Sequence, residues 1–448
     1  MNTRKLILFT LLAASLILPV SGQDNPAAYS LSLDEAVQVA YDNNISLKNA
    51  RIDVLLAQKS KWEAITSGLP KADFSASWND NLKLRTTLLP GDFFGQPGTM
   101  VPITFGTQYN ADANITVSQL VFSGTWITYL QTSELLKVLS QQSLDRLLIE
   151  TRQSVMQSYY MILISKRSME IMQQNIENLK ETAERTRKMQ QVGVVEEVNV
   201  DQITVSVSML ENTYKSLERN LELSYNMLRF QLGLDPEVTI ELSTSLDDIL
   251  NQLNTESLLS SEFMIDSNID YTMMRTQENL ARYKVQSAYA ECLPTISGFF
   301  QYGQSGMDDA FKIGDWFDYE MVGVQVNVPI FAGTGRATKI AKAKIELEKA
   351  YNTTDMVARQ LNLSEKQLKY NLKNALDQYN NQKDNVALAE KVYQNTLKKY
   401  EQGMASTFDL TQANDSYLQA ESSYLNSMMS LLNADLELNK LINNLETK

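Results

Sequence analysis

The sequence contains no histidine and only one cysteine, Cys292, among its 448 residues. The missing histidine removes the commonest metal ligand and acid–base catalyst at neutral pH. A single cysteine cannot form an internal disulfide, and without histidine it cannot form a thiolate–imidazole pair. Phosphate-binding glycine loops and nucleophile elbows are also missing. We therefore predict that the protein is not an enzyme and that it needs no cofactor and no metal ion.

Basic residues are fewer than acidic residues. The chain has 40 lysines and arginines against 53 aspartates and glutamates, which gives a formal net charge of −13. Nucleic-acid binding depends on clustered basic residues that neutralise phosphates, and no basic stripe interleaved with aromatic residues is present. Nucleic acid is therefore excluded as a partner. Apolar residues make up 44% of the chain, which excludes a disordered tail.

The first 22 residues have the three parts of a secretory signal peptide. Arg4 and Lys5 form a basic start, an apolar run extends from Leu6 to Leu18, and Val20-Ser21-Gly22 supplies small residues for cleavage. A transmembrane helix needs about 20 apolar residues, so the run is too short for a comfortable membrane anchor, the alternative interpretation. We predict an exported protein with no lipid-modified N-terminal cysteine.

Proline and glycine are missing from two long stretches, residues 125–192 and 336–402. As helices, each would be a rod about 100 Å long at ~1.5 Å per residue. Gly193 and Gly403 follow these rods and can end them with a positive φ, and Ser406 or Thr407 can cap the next helix. The helices that follow carry coiled-coil seams: Ile203, Val207, Leu210, Tyr214, Leu217, Leu221 and Leu228 in one, and Leu410, Ala413, Tyr417, Ala420, Tyr424, Leu431, Ala434 and Leu438 in the other.

The two helical hairpins are copies of one unit. At the offset that separates the two turn glycines, Gln202 also matches Gln412. Ser32 and Glu35 form a capping-box pattern at the start of the first unit. We predict a first repeat over 23–241, a linker over 242–262 and a second repeat over 263–448. Each repeat has a helix, two strands and a hairpin, with strands at about 71–86, 108–122, 295–304 and 317–331 and hairpins at about 125–232 and 334–441.

The four strands alternate apolar and polar residues, as Phe74, Ala76 and Trp78 do in the first strand. Strands of about ten residues have the right length to cross a bilayer at a tilt. Four strands cannot close a barrel, since the smallest membrane barrels have about eight, and an open sheet edge is not tolerated in lipid. Several chains must then share one barrel. A soluble four-stranded sandwich is the alternative, but it would not cover helices of this length.

This order of elements, given twice, resembles the TolC family of outer-membrane efflux and secretion channels. The similarity rests on the strand entries at Leu69-Pro70 and Leu293-Pro294, the strand exit at 329–333 and the two glycine tips. It implies a mostly helical homotrimer with a twelve-stranded membrane β-barrel and an α-helical coiled-coil tunnel. Such a protein would lie in the outer membrane of a Gram-negative bacterium, in contact with lipid, and extend into the periplasm. It would be the exit duct of a tripartite efflux pump or a type I secretion system.

The resemblance also implies partners and site residues. A periplasmic adaptor protein and an inner-membrane pump or secretion ATPase would dock at the hairpin tips, which comprise Gly193, Val194, Gly403, Met404 and Ala405. The family's periplasmic gate positions fall on Tyr400, Asp409, Asn199 and Gln412. Ala405 occupies the family's arginine position and Gln412 its second acidic position, so the polar latch should differ here. Three copies of Asp409 around the axis would favour cations and raise each other's pKa.

Other interpretations stay open. A surface-anchored coiled-coil adhesin or autotransporter would also combine helices with membrane strands, although such proteins place their membrane segment at the C-terminus. A soluble periplasmic adaptor would need no membrane strands. The alternative for Asp409 is a solvated carboxylate in the first turn of a helix, where it suits the dipole, and the alternative for Tyr400 is a packed aromatic. The sequence does not identify the cargo.

Overall fold

The computed structural model describes residues 28–311 and 315–442. The predicted signal peptide lies outside the described residues. The long elements are two helical hairpins, which pack against each other, and a four-stranded sheet at one end of them. The first hairpin comprises α3 (Gly124–Gln191) and α4 (Glu197–Leu232), and the second comprises α8 (Gly335–Glu401) and α9 (Thr407–Leu441).

The sheet contains β2 (Lys71–Asp80), β5 (Tyr109–Ser123), β7 (Thr295–Asp308) and β8 (Trp316–Asn327), in that spatial order, with all neighbours antiparallel. One face is apolar because the register aligns Phe74 with Ile115, Val117 with Phe300, and Phe300 with Val322. Val322 is 81% exposed and Phe74 is 70% exposed. An exposed apolar sheet face is what lipid contact requires.

Two predicted strand ranges were too long, and one was too short. The first strand ends at Asp80, not near 86, and β8 ends at Asn327, not near 331. β7 continues to Asp308, beyond the predicted end near 304, because Gly306 and Ser305 still pair with Trp316 and Phe317. Past Asp80 the chain forms a separate small hairpin of β3 (Thr86–Pro90) and β4 (Met100–Thr104), where the sequence suggested only a loop.

The single helix predicted to follow the capping box in the first repeat is two helices, α1 (Leu33–Asn43) and α2 (Ile45–Thr66). Asn44 separates them. Its backbone is non-helical, and its side-chain oxygen accepts hydrogen bonds from the N–H groups of Ser46 and Leu47 at 2.9 and 3.3 Å. Its Nδ2 donates to the carbonyl oxygen of Gln231 at 2.8 Å, which ties this break to the end of α4. The predicted capping box at Ser32 and Glu35 is confirmed.

A small layer packs against the middle of both hairpins, mainly the first, while its last helix packs on the second. It contains β1 (Ala28–Leu31) and β6 (Thr239–Leu242), which pair in parallel, together with α1, α5 (Leu246–Gln252) and α6 (Thr255–Ser260). We call this layer the collar. The buried Tyr159 of α3 fixes it, since its hydroxyl donates to the carbonyl oxygen of Leu31 at 3.0 Å and accepts from the N–H of Thr244 at 3.1 Å. Most of the linker predicted over 242–262 thus belongs to the collar, as the helices α5 and α6.

The helices line up side by side as a wall. Next to the sheet the order is α2, α3, α7 (Ile269–Ala290) and α8, which follows the order of the strands. Farther from the sheet, α4 and α9 take over from α2 and α7, so the order becomes α4, α3, α9, α8. α3 and α8 run through both levels. Within the described part of the chain, no helix is both long and apolar enough to cross a membrane.

Candidate functional site at the hairpin tips

The two hairpin tips have the same backbone turn. Gly193 has φ of +78° and Gly403 has φ of +72°, a region that side chains with a Cβ rarely adopt. In each turn the glycine N–H bonds to a carbonyl three residues back at 2.9 Å, and the next N–H bonds to a carbonyl five residues back. This pair of bonds is the Schellman motif, so both glycines end their helices as predicted.

The tips differ in how the next helix begins. Ser406 caps α9: its Oγ accepts from the N–H of Asp409 at 3.1 Å, and the Asp409 carboxylate accepts from the Ser406 N–H at 3.0 Å. In the first tip Glu196 occupies the cap position and its side chain makes no such bond. Hydrogen bonds from the Ser406 side chain and backbone hold the pKa of Asp409 below its usual value.

Tyr400 joins the two hairpins through a chain of hydroxyl groups. The Thr186 hydroxyl on α3 donates to its own helix, to the carbonyl of Thr182 at 2.8 Å, so the Tyr400 hydroxyl is the donor in the 2.8 Å bond between Tyr400 and Thr186. Thr407 of α9 in turn donates to the Tyr400 hydroxyl at 3.4 Å. All four side chains are buried. Hydrogen bonds in such a chain polarise and strengthen one another.

The other predicted gate residues lie elsewhere. Asn199 is half-buried in the first turn of α4, and its N–H bonds to the carbonyl of Glu196 at 3.2 Å. Gln412 is exposed on α9. The recorded partners of the Tyr400 hydroxyl are threonines of α3 and α9, not residues of α4.

An ion pair next to this hydroxyl chain was not anticipated from the sequence. Arg185 of α3 pairs with Glu401 at the end of α8, and it also donates to Glu181 one turn earlier at 2.6 Å. Both carboxylates raise the pKa of the Arg185 guanidinium. The resemblance places the family's arginine at Ala405, whereas Arg185 lies on the facing hairpin. The only sequence signal was the position of Arg185 two turns before a tip, which does not reveal a partner on the other hairpin.

Below the tips a compact apolar cluster holds all four helices of the hairpins together. We call it the tip cluster; its buried members are Leu179, Ile203, Val207, Tyr393, Tyr400, Leu410 and Ala413. Ala405 packs against it and is half-buried. One step farther from the tips, the buried Asn175 of α3 donates from Nδ2 to Oδ1 of Asn414 on α9 at 2.7 Å. A buried amide pair of this kind fixes the register of packed helices.

Outside the tip cluster, the ends of both hairpins expose apolar side chains. Val194 is 63% exposed, Met404 is 66% exposed and Phe408 is 67% exposed. In the part of the chain that the structure describes, no cluster of three or more possible ligand residues of the His, Cys, Asp and Glu types is found. The exposed apolar side chains at the tips are suited to pack against another protein surface.

Comparison with known proteins decides the family. The family model for outer membrane efflux proteins matches residues 36–234 and 264–444, which cover both repeats. The chain belongs to the outer membrane efflux protein family. It is an outer-membrane channel protein of a Gram-negative bacterium that extends into the periplasm, and the adhesin alternative finds no support.

Solved structures show the same fold. The outer membrane protein VceC from Vibrio cholerae matches with a TM-score of 0.74 at 16% identity, over 92% of this chain and 95% of that one. The outer membrane channel CmeC of Campylobacter jejuni matches with a TM-score of 0.70 at 19% identity, over 92% and 85%. The open state of MtrE from Neisseria gonorrhoeae matches with a TM-score of 0.71 at 14% identity, over 92% and 88%. A search of curated proteins gave no match.

Membership in the family also explains the open sheet. Outer membrane efflux proteins are trimeric and work with a periplasmic adaptor and an inner-membrane pump. Within the described residues the outer edges of β2 and β8 have no strand partner. In a trimer these edges can pair with the neighbouring copies, which closes the barrel that lipid requires.

Proposed function

We propose that this protein is the exit duct of a small-molecule efflux pump and that its second hairpin is the periplasmic gate. In the closed state two polar contacts between α8 and α3 add to the packing of the tip cluster: the Tyr400–Thr186 hydrogen bond and the Arg185–Glu401 ion pair. We call these two contacts the latch. The observation that carries the proposal is the buried hydroxyl chain between the hairpins.

Each contact of the latch is individually weak. Its hydroxyl part is buried and neutral, so each bond contributes only about 0.5–1.5 kcal/mol. Its ionic part is exposed, with the Arg185 and Glu401 side chains 52% and 39% accessible, and exposed ion pairs contribute little. The latch therefore contributes a few kcal/mol per chain. A partner that separates the hairpins must also pull apart the apolar side chains of the tip cluster and the Asn175–Asn414 pair, but it need not unfold a helix.

The exposed apolar tips are the natural place for that partner. Val194 and Met404 follow the two turn glycines, so an adaptor that covers both contacts both hairpins of a chain at once. Binding would bury these side chains and supply free energy to shift the gate. We expect Val194→Asp and Met404→Asp to abolish pump-dependent drug resistance while leaving channel conductance unchanged. Ile45→Asp, 70% exposed at the start of α2, is the matched control and should retain resistance.

A charge-reversal cycle tests the gate. Arg185→Glu places three carboxylates together, and Glu401→Arg places two guanidinium groups together, so each single variant should raise the conductance of the purified trimer in planar bilayers. The double variant restores opposite charges and should return toward wild type, and all differences should shrink at high salt. Glu211→Lys is the control because Glu211 pairs with Lys180 within the first hairpin. If both single variants conduct like Glu211→Lys, the gate is not at this contact.

A further inference from the structure

A groove of about 490 Å³ lies between α3, α4 and α9, midway along the helical wall. Its size is within the range of sites that bind drug-sized molecules. Its lining comprises Ser154, Gln157, Ser158 and Met161 of α3, Leu223, Ser224, Met227 and Gln231 of α4, and Met429 and Asn433 of α9. It lies apart from the tips and from the sheet.

The groove and the collar lie on different sides of α3. On α3, Val155, Tyr159 and Ile162 are buried in the core that includes the collar. Ser154, Ser158 and Met161 lie on a different side of the same turns, roughly 100° away on average, since each residue advances about 100° around a helix. In a trimeric ring of helices, three collars fit only on the outside if a duct is to stay open. The groove, which opens on another side of α3 between α4 and α9, is assigned to the lumen, and this assignment rests on the proposed duct.

Two polar atoms of the lining lack partners. The side-chain oxygens of Gln231 and Asn433 are shielded from solvent, and neither accepts a hydrogen bond. A buried acceptor without a donor costs roughly 1–3 kcal/mol, so such groups are rare unless a ligand or water satisfies them. Between these two acceptors the groove offers apolar surface from Leu223 and from thioether side chains such as Met227. Its lining contains no charged side chain.

We propose that the groove is a lumenal binding site for small uncharged amphiphiles that carry N–H or O–H donors. The apolar body of the molecule lies on the methionines and Leu223, and its donors satisfy Gln231 and Asn433. Methionine suits a site that accepts several shapes because its side chain is flexible and polarisable. The openness to the lumen lets cargo leave again, as a transport pathway requires.

A soft metal ion is the competing occupant, since three methionines contribute to the lining. The volume argues against it: a single ion would need only a few close ligands, whereas the groove accommodates a molecule of many atoms. The two unpartnered amide oxygens also favour a ligand with donors, because Cu(I) and Ag(I) prefer sulfur to oxygen.

The probe for the test is chloramphenicol, an uncharged aromatic amphiphile with hydroxyl and amide donors. Its dissociation constant is measured by ligand-observed NMR titration on the full trimer in nanodiscs. Gln231→Leu/Asn433→Leu keeps the size of both side chains but removes both acceptors, and should weaken binding about tenfold or more. Gln38→Leu/Asn251→Leu changes two exposed amides of the collar and should leave binding unchanged. Ser158→Trp fills the groove from its lumenal side and should abolish binding even if the double variant does not fold.

Equal binding by wild type, the double variant and Ser158→Trp would overturn the site. Failure of wild type to bind chloramphenicol would also overturn it, and Ag⁺ binding by the same sample in a calorimetric titration would then assign the groove to a metal. Bilayer conductance is recorded on every preparation. A conducting trimer without chloramphenicol binding refutes the groove alone, whereas a folded trimer without conductance refutes the duct.

Discussion

Replacing Tyr400 by phenylalanine tests the latch by removing a single heavy atom, the hydroxyl oxygen. The ring stays in the tip cluster, so packing is kept, and only the hydroxyl that bridges Thr186 and Thr407 is lost. Thr186 still donates to the carbonyl of Thr182, so no buried proton donor is stranded there. The Thr407 hydroxyl loses its acceptor, but that bond lies within the second hairpin and is missing from both gate states. The closed state alone loses the Tyr400–Thr186 bond, which contributes about 1 kcal/mol per chain.

The effect on the gate is larger than the effect on one chain. If the three second hairpins of a trimer move together, the closed state loses about 3 kcal/mol, which corresponds to a roughly 100-fold shift toward the open state. Single-channel recording in planar bilayers measures this shift as longer or larger openings. Thr186→Val should act in the same direction, and the double variant should add little, because both changes remove the same bond.

Tyr379→Phe is the matched control. Tyr379 and Tyr424 stack at 5.6 Å and their hydroxyls meet at 3.5 Å, but both residues belong to the second hairpin. Removal of that hydroxyl should leave the openings unchanged. The reasoning fails if Tyr400→Phe behaves like Tyr379→Phe, or if the effects of Tyr400→Phe and Thr186→Val simply add.

Three further outcomes are expected. Gly403→Ala should destabilise the trimer by about 1 kcal/mol or more per chain in thermal unfolding because φ is +72° there, whereas Gly335→Ala, at an ordinary helical φ with free space around it, should not. Burial raises the pKa of Asp435 to about 6, so the charged form of this carboxyl destabilises the folded chain by roughly 2–3 kcal/mol. This destabilisation is absent near pH 4 and complete above pH 6. Asp435→Asn should therefore raise the melting temperature at pH 7 and flatten the change of melting temperature between pH 4 and 7. Asn175→Leu/Asn414→Leu should preserve or raise the melting temperature but yield trimers with more than one conductance level, because the buried amide pair no longer fixes the register of α3 and α9. A single conductance level, equal to that of wild type, would refute this role of the pair.

Local chemistry made much of this fold predictable. The absence of proline and glycine defined the two long helices, and Gly193 and Gly403 ended them through a backbone conformation that few other residues adopt. Ser406 began α9 as a helix cap because its hydroxyl bonds within one turn. Each of these features depends on residues within a few positions of one another, so sequence patterns report them well.

Features that depend on distant residues were missed. Asn44 caps α2 within its own turn, but its second side-chain hydrogen bond goes to the carbonyl of Gln231, far along the chain. The partners of Tyr400 and Glu401 lie on α3 and could be identified only after the two hairpins were packed together. Ala405 at the family's arginine position predicted a different latch. It gave no signal that Arg185, on the facing hairpin, pairs with Glu401.

Because α3 and α8 are continuous helices, each can act as a rigid lever between the sheet and the tips. Both helices extend from the sheet to the tips, over 68 and 67 residues, without an internal break. For a stiff rod about 100 Å long that pivots at the membrane, one degree of tilt moves the far end by roughly 2 Å. A hydrogen bond is lost when its atoms separate by about 1 Å beyond contact distance. A rotation too small to disturb the barrel is thus amplified along the rods into a displacement that releases the latch.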